Sequence, residues 1–322
     1  MMTDLLQKLE DHLEGLPLGD EPSNLYEPIR YMLSLGGKRL RPMLTLLGYG
    51  LAKDDYESVV EPALAVELFH NFTLMHDDIM DEAPIRRGQP TVHEKWNNTV
   101  AILSGDTMMV KAYDLMLKTP ADRLGEAIQK FNKCAVEVCE GQQFDMNFEE
   151  LETITEDQYI EMIRLKTAVL LGFSLEFGGI LAGMSGDQLA KLNAVGEKAG
   201  IGFQLMDDLL DVYADKAKFG KQVGGDIVSN KKTFLLIKAL ELANPTQRRE
   251  LDQWLSVTDF NNEEKVEAVK KIYEEIGIYD LTTNKMNAYY DEAFKLLDDL
   301  EASADGKNQL KAFFQKLMKR ER

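Results

Sequence analysis

The sequence predicts an all-α fold. Three observations carry that reading: apolar residues recur at helical spacing in almost every segment, strand-like alternation is hard to find, and the breaks between periodic runs are short clusters of glycine, proline and capping residues. In chain order, Ile29, Met32 and Leu33 mark one helical face that stops at Gly36-Gly37. A strongly apolar run over 68–75 stops before the loop 84–90, and later stops fall at Thr119-Pro120, 183–186, 220–225, Asn244-Pro245 and 304–306. Leu189, Leu192, Val195 and Ile201 give another helical face. The most apolar stretch, 168–184, is interrupted by Glu176 and rich in glycine, which fits a buried helix rather than a bilayer span. Roughly ten helices joined by short loops result, with no linker or low-complexity tract, so 1–322 is expected to form a single-domain helical bundle.

Composition narrows the function. Of 322 residues, 44% are hydrophobic and 29% charged, as in ordinary globular chains. Against 37 Lys and Arg stand 55 Asp and Glu, a formal charge of −18 that opposes nucleic-acid binding. A polyanionic substrate must therefore meet a local cation cluster or bound metal. Cys134 and Cys139 fall on different faces of one predicted helix and suit neither a disulfide nor a zinc site. The start of the chain, with Asp4, Glu10 and Asp11, has no apolar segment of signal-peptide length. A cytoplasmic chain with no membrane anchor is expected.

The main clue is an internal echo: FTLMHDDIMD at 72–81 and FQLMDDLLD at 203–211. On a helix, positions i and i+4 share a face, so Asp77 should converge with Asp81 and Asp207 with Asp211, with Asp78 and Asp208 beside them. Carboxylates gathered this way repel one another and call for a cation. Magnesium suits hard oxygen ligands shared with substrate phosphates and water. One such triplet in so acidic a chain also fits a solvated face, but two, each after an apolar run, favour a metal-binding pair.

Cations cluster near these triplets. A glycine-led turn at 36–42 carries Lys38, Arg39 and Arg41, a composition suited to phosphate oxygens or, equally, to a helix C-cap followed by a surface basic patch. Arg86-Arg87-Gly88 follows the first triplet, and arginine forks grip diphosphates at two points. Lys221, Asp226, Lys231, Lys232 and Thr233 follow the second. Lys166-Thr167 sits in an apolar run, where a salt bridge would also explain the lysine. Gln142 and Gln204 suit orienting water or phosphate, or satisfying backbone groups.

In their order and spacing these blocks resemble the trans-isoprenyl diphosphate synthase (polyprenyl synthetase) family over nearly the whole chain: 36–42, ELFH at 67–70, 76–81 with Arg86-Arg87-Gly88, Gly105-Asp106, Gly141-Gln142 with Asp145, Lys166-Thr167, 203–211, and Gly220-Lys221 through Asp226 to Thr233. The resemblance implies the isoprenoid synthase fold, an all-helical bundle around a deep central cavity. It also implies a homodimer, with the aspartate clusters facing each other across the cavity mouth. It assigns Lys38, Arg41, His70 and Arg87 to isopentenyl diphosphate, although His70 by itself reads as a satisfied core histidine. It assigns Arg86, Lys166, Thr167, Gln204, Lys221 and Lys231 to the allylic diphosphate (dimethylallyl, geranyl or farnesyl), with Lys166 also catalytic. The six aspartates form the Mg2+ shell. Asn230 departs from the family, which usually has glycine before the lysine, but asparagine tolerates left-handed backbone.

The same resemblance makes the helix before Asp77 the product-length gauge. Phe72 lies about 7.5 Å upstream of Asp77 along the axis and Thr73 beside it is small, a pattern similar to archaeal-type geranylgeranyl (C20) synthases. Phe69, one turn deeper, keeps a farnesyl (C15) product open, and plain helix packing also explains both rings. A class I terpene cyclase normally replaces the second triplet, and a noncatalytic subunit usually loses aspartates or cations. Both patterns are intact here.

Overall fold

The computed structural model describes residues 2–214 and 224–319. Helix α1 (Met2–Glu14) buries Leu5, Leu9 and Leu13, a single i, i+4 stripe, and α2 (Ser23–Ser34) buries the expected Ile29, Met32 and Leu33. After the Gly36-Gly37 break, α3 (Leu40–Tyr49) leads to α4 (Val60–Met80), whose run 62–69 is buried on every side. The first aspartate triplet occupies the end of α4, with Asp81 as its C-cap.

The loop expected at 84–90 is a small hairpin, β1 (Ile85–Arg86) pairing β2 (Gln89–Pro90) with Ile85 opposite Pro90. Arg87 and Gly88 turn it with φ of 53° and 76°, both left-handed, the geometry whose twist matches antiparallel strands. Helices α5 (Val92–Lys95), α6 (Asn98–Met116) and α7 (Ala121–Glu149) follow. Then α8 (Glu156–Ile163), started by a Thr155/Gln158 capping box, runs through a π-helical turn (Arg164–Ala168) into α9 (Val169–Ala182). The run Glu156–Ala182 is long and apolar enough to cross a membrane, but 89% of its apolar window is buried inside the protein. Its one acid in the apolar half, Glu176, pairs with Lys130 at 2.8 Å and accepts a hydrogen bond from Asn193 at 2.9 Å.

Helix α10 (Gly186–Tyr213) carries the second triplet near its end. The remaining helices are α11 (Gly225–Val228), α12 (Phe234–Leu242), α13 (Pro245–Ser256), α14 (Asn262–Ile276), α15 (Ile278–Asp298) and α16 (Ala304–Met318). The described residues thus hold sixteen α-helices rather than the roughly ten expected from periodicity. Four-residue pieces such as α5 and α11 are too short to show a hydrophobic period.

The chain folds into two compact units, each assembled from non-contiguous segments. The first comprises Met1–Lys133, Phe173–Asn193 and Leu300–Leu310. Its core holds an aromatic column in which Phe131 packs against Phe69 (centroids 5.2 Å apart), Tyr113 (5.0 Å) and Phe173 (5.6 Å), and Phe173 stacks on Phe177. Edge-to-face and offset pairs of this kind add about 0.5–1.5 kcal/mol each beyond the area they bury. The second unit comprises Cys134–Gly172, Ala194–Asp299 and Lys311–Arg322. Leu209 and Val212 of α10 anchor a core there with Leu235, Leu251, Val269, Ile272 and Tyr273. Cys134 is buried and Cys139 exposed, on different faces as expected.

Candidate active site

Each aspartate triplet stands at the C-terminal end of a long helix. That is the negative pole, where the last carbonyls lack intrahelical partners and acidic side chains are unfavourable without a cation. In the first unit the three aspartates do different work. Asp78 is buried and takes a two-point grip from Arg86, with contacts of 2.7, 2.8 and 3.0 Å. This pair pins the hairpin to the end of α4, helped by Thr91, whose hydroxyl donates to the Ala83 carbonyl at 2.7 Å. Asp77 is half-buried and Asp81 exposed.

Arg87, beside Arg86 on the exposed hairpin turn, reaches the glycine-led turn: its guanidinium nitrogens lie 3.1 Å from where a Cβ on Gly37 would stand. Gly37 has φ 151°, so glycine is needed there both for backbone conformation and for room. Arg41, Arg86, Arg87 and Arg39 surround His70. Burial first, and then these four charges, hold its pKa well below the ordinary 6.5, so the imidazole is neutral. Arg41, His70 and Arg87 are therefore brought together, with Lys38 exposed on the same turn.

Arg39, the middle cation of that turn, behaves differently. It starts α3 in the left-handed region at φ 46° and points inward, where it pairs with Glu10 and Glu67 at 3.0 Å and donates to the Leu33 carbonyl at 3.0 Å. Glu67 is itself buried. Removing one partner of such a buried pair costs about 3–5 kcal/mol, which makes Arg39 a residue of the fold rather than of a ligand site.

In the second unit the π-turn carries Lys166 and Thr167. Gly141 of α7 packs directly on this turn, for a Cβ on it would lie 2.2 Å from the Lys166 backbone nitrogen. The Lys166 ammonium pairs with Asp145 at 2.5 Å. Burial pushes the Asp145 carboxyl up, yet Lys231 and Lys166 together outweigh burial and hold it below the ordinary carboxylate range. Asp145 thus stands between two of the expected diphosphate-binding lysines.

A chain of hydrogen bonds runs on to the triplet. Thr167 donates its hydroxyl to Gln204 Oε1 (3.2 Å), Gln204 Nε2 donates to Asp208 Oδ1 (3.1 Å), and the buried Tyr159 hydroxyl donates to Asp208 Oδ2. Burial foremost, and then the nearby Asp226 charge, push the Asp208 carboxyl up to about 7, against the opposing pull of Tyr159 and Gln204. Asp211 accepts the Asp226 amide at 2.9 Å. Asn230 adopts the left-handed conformation expected of it, at φ 56°. Lys231 follows, its amide bonded to the Asp226 carbonyl at 2.8 Å. Lys221, with Gly220, lies outside the described residues.

The two triplets therefore share a pattern that their spacing does not reveal: the middle aspartate of each is buried against protein donors, Arg86 for Asp78 and Tyr159 with Gln204 for Asp208. Among the described residues no three His, Cys, Asp or Glu side chains close into a metal cage. Sequence reasoning gave no role to Tyr159 or Asp145, and it grouped Arg39 with Lys38 and Arg41 on a turn suited to phosphate, a reading that its inward pairing with Glu10 and Glu67 corrects. Asp145 carried a signal, as an acid in a glutamine-rich motif, whereas Tyr159 in an ordinary helical run carried none.

The helical fold and the chain's relatives together define an enzyme of the prenyltransferase class. The chain belongs to the polyprenyl synthetase family, which matches it over residues 22–276. A geranylgeranyl pyrophosphate synthase of Geoglobus acetivorans is 38% identical over 305 residues, 94% of this chain and 93% of that protein. The crystal structure of a geranylgeranyl pyrophosphate synthase superposes with a TM-score of 0.95 at 40% identity, covering 100% of this chain and 99% of the other. A Corynebacterium glutamicum geranylgeranyl pyrophosphate synthase, complexed with isoprenyl diphosphate and magnesium, has a TM-score of 0.86 at 27% identity over 99% and 98% of the two chains.

Proposed function

We propose that this chain condenses isopentenyl diphosphate with dimethylallyl, geranyl and farnesyl diphosphates, head to tail and trans, with geranylgeranyl diphosphate (C20) as product. One observation carries the reading: two helices end in aspartate clusters at their negative poles, and each cluster is flanked by cations that the fold holds in place.

Asp77 and Asp81 of the first cluster and Asp207 and Asp211 of the second are the carboxylates we assign to Mg2+, while Asp78 and Asp208 orient the ends of their helices. Magnesium bound there would neutralise diphosphate charge. Lys166, Thr167, Gln204, Lys221, Lys231 and Arg86 hold the allylic diphosphate, and Lys166 stabilises the charge that develops as the carbon–oxygen bond breaks. The allylic carbocation is attacked by the double bond of isopentenyl diphosphate, which Lys38, Arg41, His70 and Arg87 hold, and the departed diphosphate takes the proton. A neutral His70 can donate one hydrogen bond to a phosphate oxygen without charge.

Phe72 supports the C20 reading. It is half-buried and rests on Phe69 (5.7 Å) and His76 (4.7 Å), so its ring is braced from two sides. Phe69 is fully buried in the aromatic column, which leaves Phe72 as the better product floor and weakens the C15 alternative. The lining residue Thr73 is tied back to the His70 carbonyl at 2.8 Å. A homodimer is supported by Leu103, Val110 and Leu117, exposed apolar residues at heptad spacing along α6 and its end. We place the enzyme in the cytoplasm, working as one domain across 1–322.

Incubating purified protein with isopentenyl diphosphate, each allylic starter and Mg2+, then sizing the products, tests the proposal. A C20 product that vanishes on chelation is expected. A cyclised hydrocarbon would make it a class I terpene cyclase, and no turnover with any starter would favour a noncatalytic subunit.

A further inference from the structure

Lys265 is fully buried, four residues into α14 from its Asn261 cap. A buried ammonium at the positive end of a helix is doubly unfavourable and must be compensated locally. Among the described residues no carboxylate pairs with it. Its ammonium instead donates to the Asn230 side-chain carbonyl at 2.6 Å and to the Val228 backbone carbonyl at 3.3 Å, and it stands 4.2 Å over the Phe260 ring. Asn230 in turn donates its amide to the Leu255 carbonyl at 3.1 Å. These contacts converge on one turn. Val228 closes α11, Asn230 holds the left-handed angle, and the next residue is Lys231, whose charge reaches Asp145. The other end of α11 is held by the Asp226 amide on Asp211.

We propose that Lys265 and Asn230 are positioning residues: the buried ammonium, through the Asn230 side chain, fixes the turn that presents Lys231 and thereby sets affinity for the allylic diphosphate. The inference rests on the assignment of Lys231 to that diphosphate. Asparagine here does more than tolerate a positive φ, because glycine would keep the angle and lose the acceptor.

Steady-state kinetics of the full-length enzyme with Mg2+ test it. Asn230→Gly adopts φ 56° without steric cost, so the fold stands, yet one hydrogen bond to a charged group is lost. The expected result is a roughly tenfold rise in KM for the allylic diphosphate, with kcat and the isopentenyl diphosphate KM nearly unchanged. Lys265→Met should reproduce that split. Asn230→Asp, which keeps an acceptor for Lys265 and tolerates the angle, should restore the wild-type KM. An unchanged allylic KM in Asn230→Gly overturns the proposal, as does an equal rise in both KM values together with a lower thermal midpoint, the mark of a merely structural role. Lys231→Ala separates the two layers. If it raises the allylic KM while Asn230→Gly does not, only the clamp is wrong; if it leaves that KM unmoved, the assignment of Lys231 falls and the clamp with it.

Discussion

Gly141→Ala should damage catalysis through the backbone it packs against. A Cβ at this position would stand 2.2 Å from the Lys166 nitrogen and 2.6 Å from the Leu165 carbonyl carbon, both backbone atoms, where ordinary contact begins at 3.4 Å. No side-chain rotamer relieves such an overlap, so the π-turn must retreat by about 1 Å. Overpacking of that size costs about 1–3 kcal/mol of stability. The functional cost is larger, since Lys166 and Thr167 ride on the displaced turn, and a misplacement of about 1 Å in a positioned group lowers turnover on the order of a hundredfold. Thermal melting followed by circular dichroism measures the first quantity, and incorporation of labelled isopentenyl diphosphate into chain-elongated product measures the second. The variant should lose a few degrees of thermal midpoint while kcat/KM collapses. Wild-type kinetics in Gly141→Ala would refute the claim that this close approach sets the position of Lys166.

Tyr159→Phe deletes the donor to buried Asp208 and leaves that carboxylate with less support, so stability should fall by about 1.5–3 kcal/mol and kcat/KM with it, read by denaturant titration and steady-state rates. Phe72→Ala should lengthen the product beyond that of the wild type, as seen by sizing the released prenyl chains; an unaltered distribution would remove Phe72 from the floor of the pocket. Acidification should destabilise the ligand-free protein through His70. Its native pKa lies below the ordinary 6.5, so the unfolded chain takes up the proton first and stability drops as pH falls below that value. In His70→Asn the fall in thermal midpoint from about pH 7.5 to about pH 5.5 should be shallower, and an identical slope would contradict the neutral imidazole.

The middle aspartate of each triplet illustrates how the fold divides labour among identical side chains. Asp78 and Asp208 are the buried members, and each is held by a donor from another element: Arg86 lies on the hairpin, Tyr159 on α8. A carboxylate that is buried and hydrogen-bonded in this way fixes the helix end rigidly, so the outer carboxylates are presented in a defined direction.

Helical periodicity, the two acidic triplets and the cations beside them were legible from the chain alone, because each depends on spacing within one helix or one turn. The all-α class and the identity of Asp77, Asp81, Asp207 and Asp211 as candidate ligands follow from residues at most four apart. At Asn230 the sequence said only that a left-handed angle would be tolerated, and the structure supplies the angle itself. What required the tertiary structure are the pairings over long separations: Asp208 with Tyr159, Lys166 with Asp145 and Gly141, Arg39 with Glu10 and Glu67, Lys265 with Asn230. Periodicity states which face of a helix is apolar but not which neighbour meets it or how far one helix is rotated against the next. The difference between an arginine available to a ligand, as proposed for Arg87, and a structural one such as Arg39, two charges on similar glycine-bearing turns, is therefore decided only when packing buries one and leaves the other exposed.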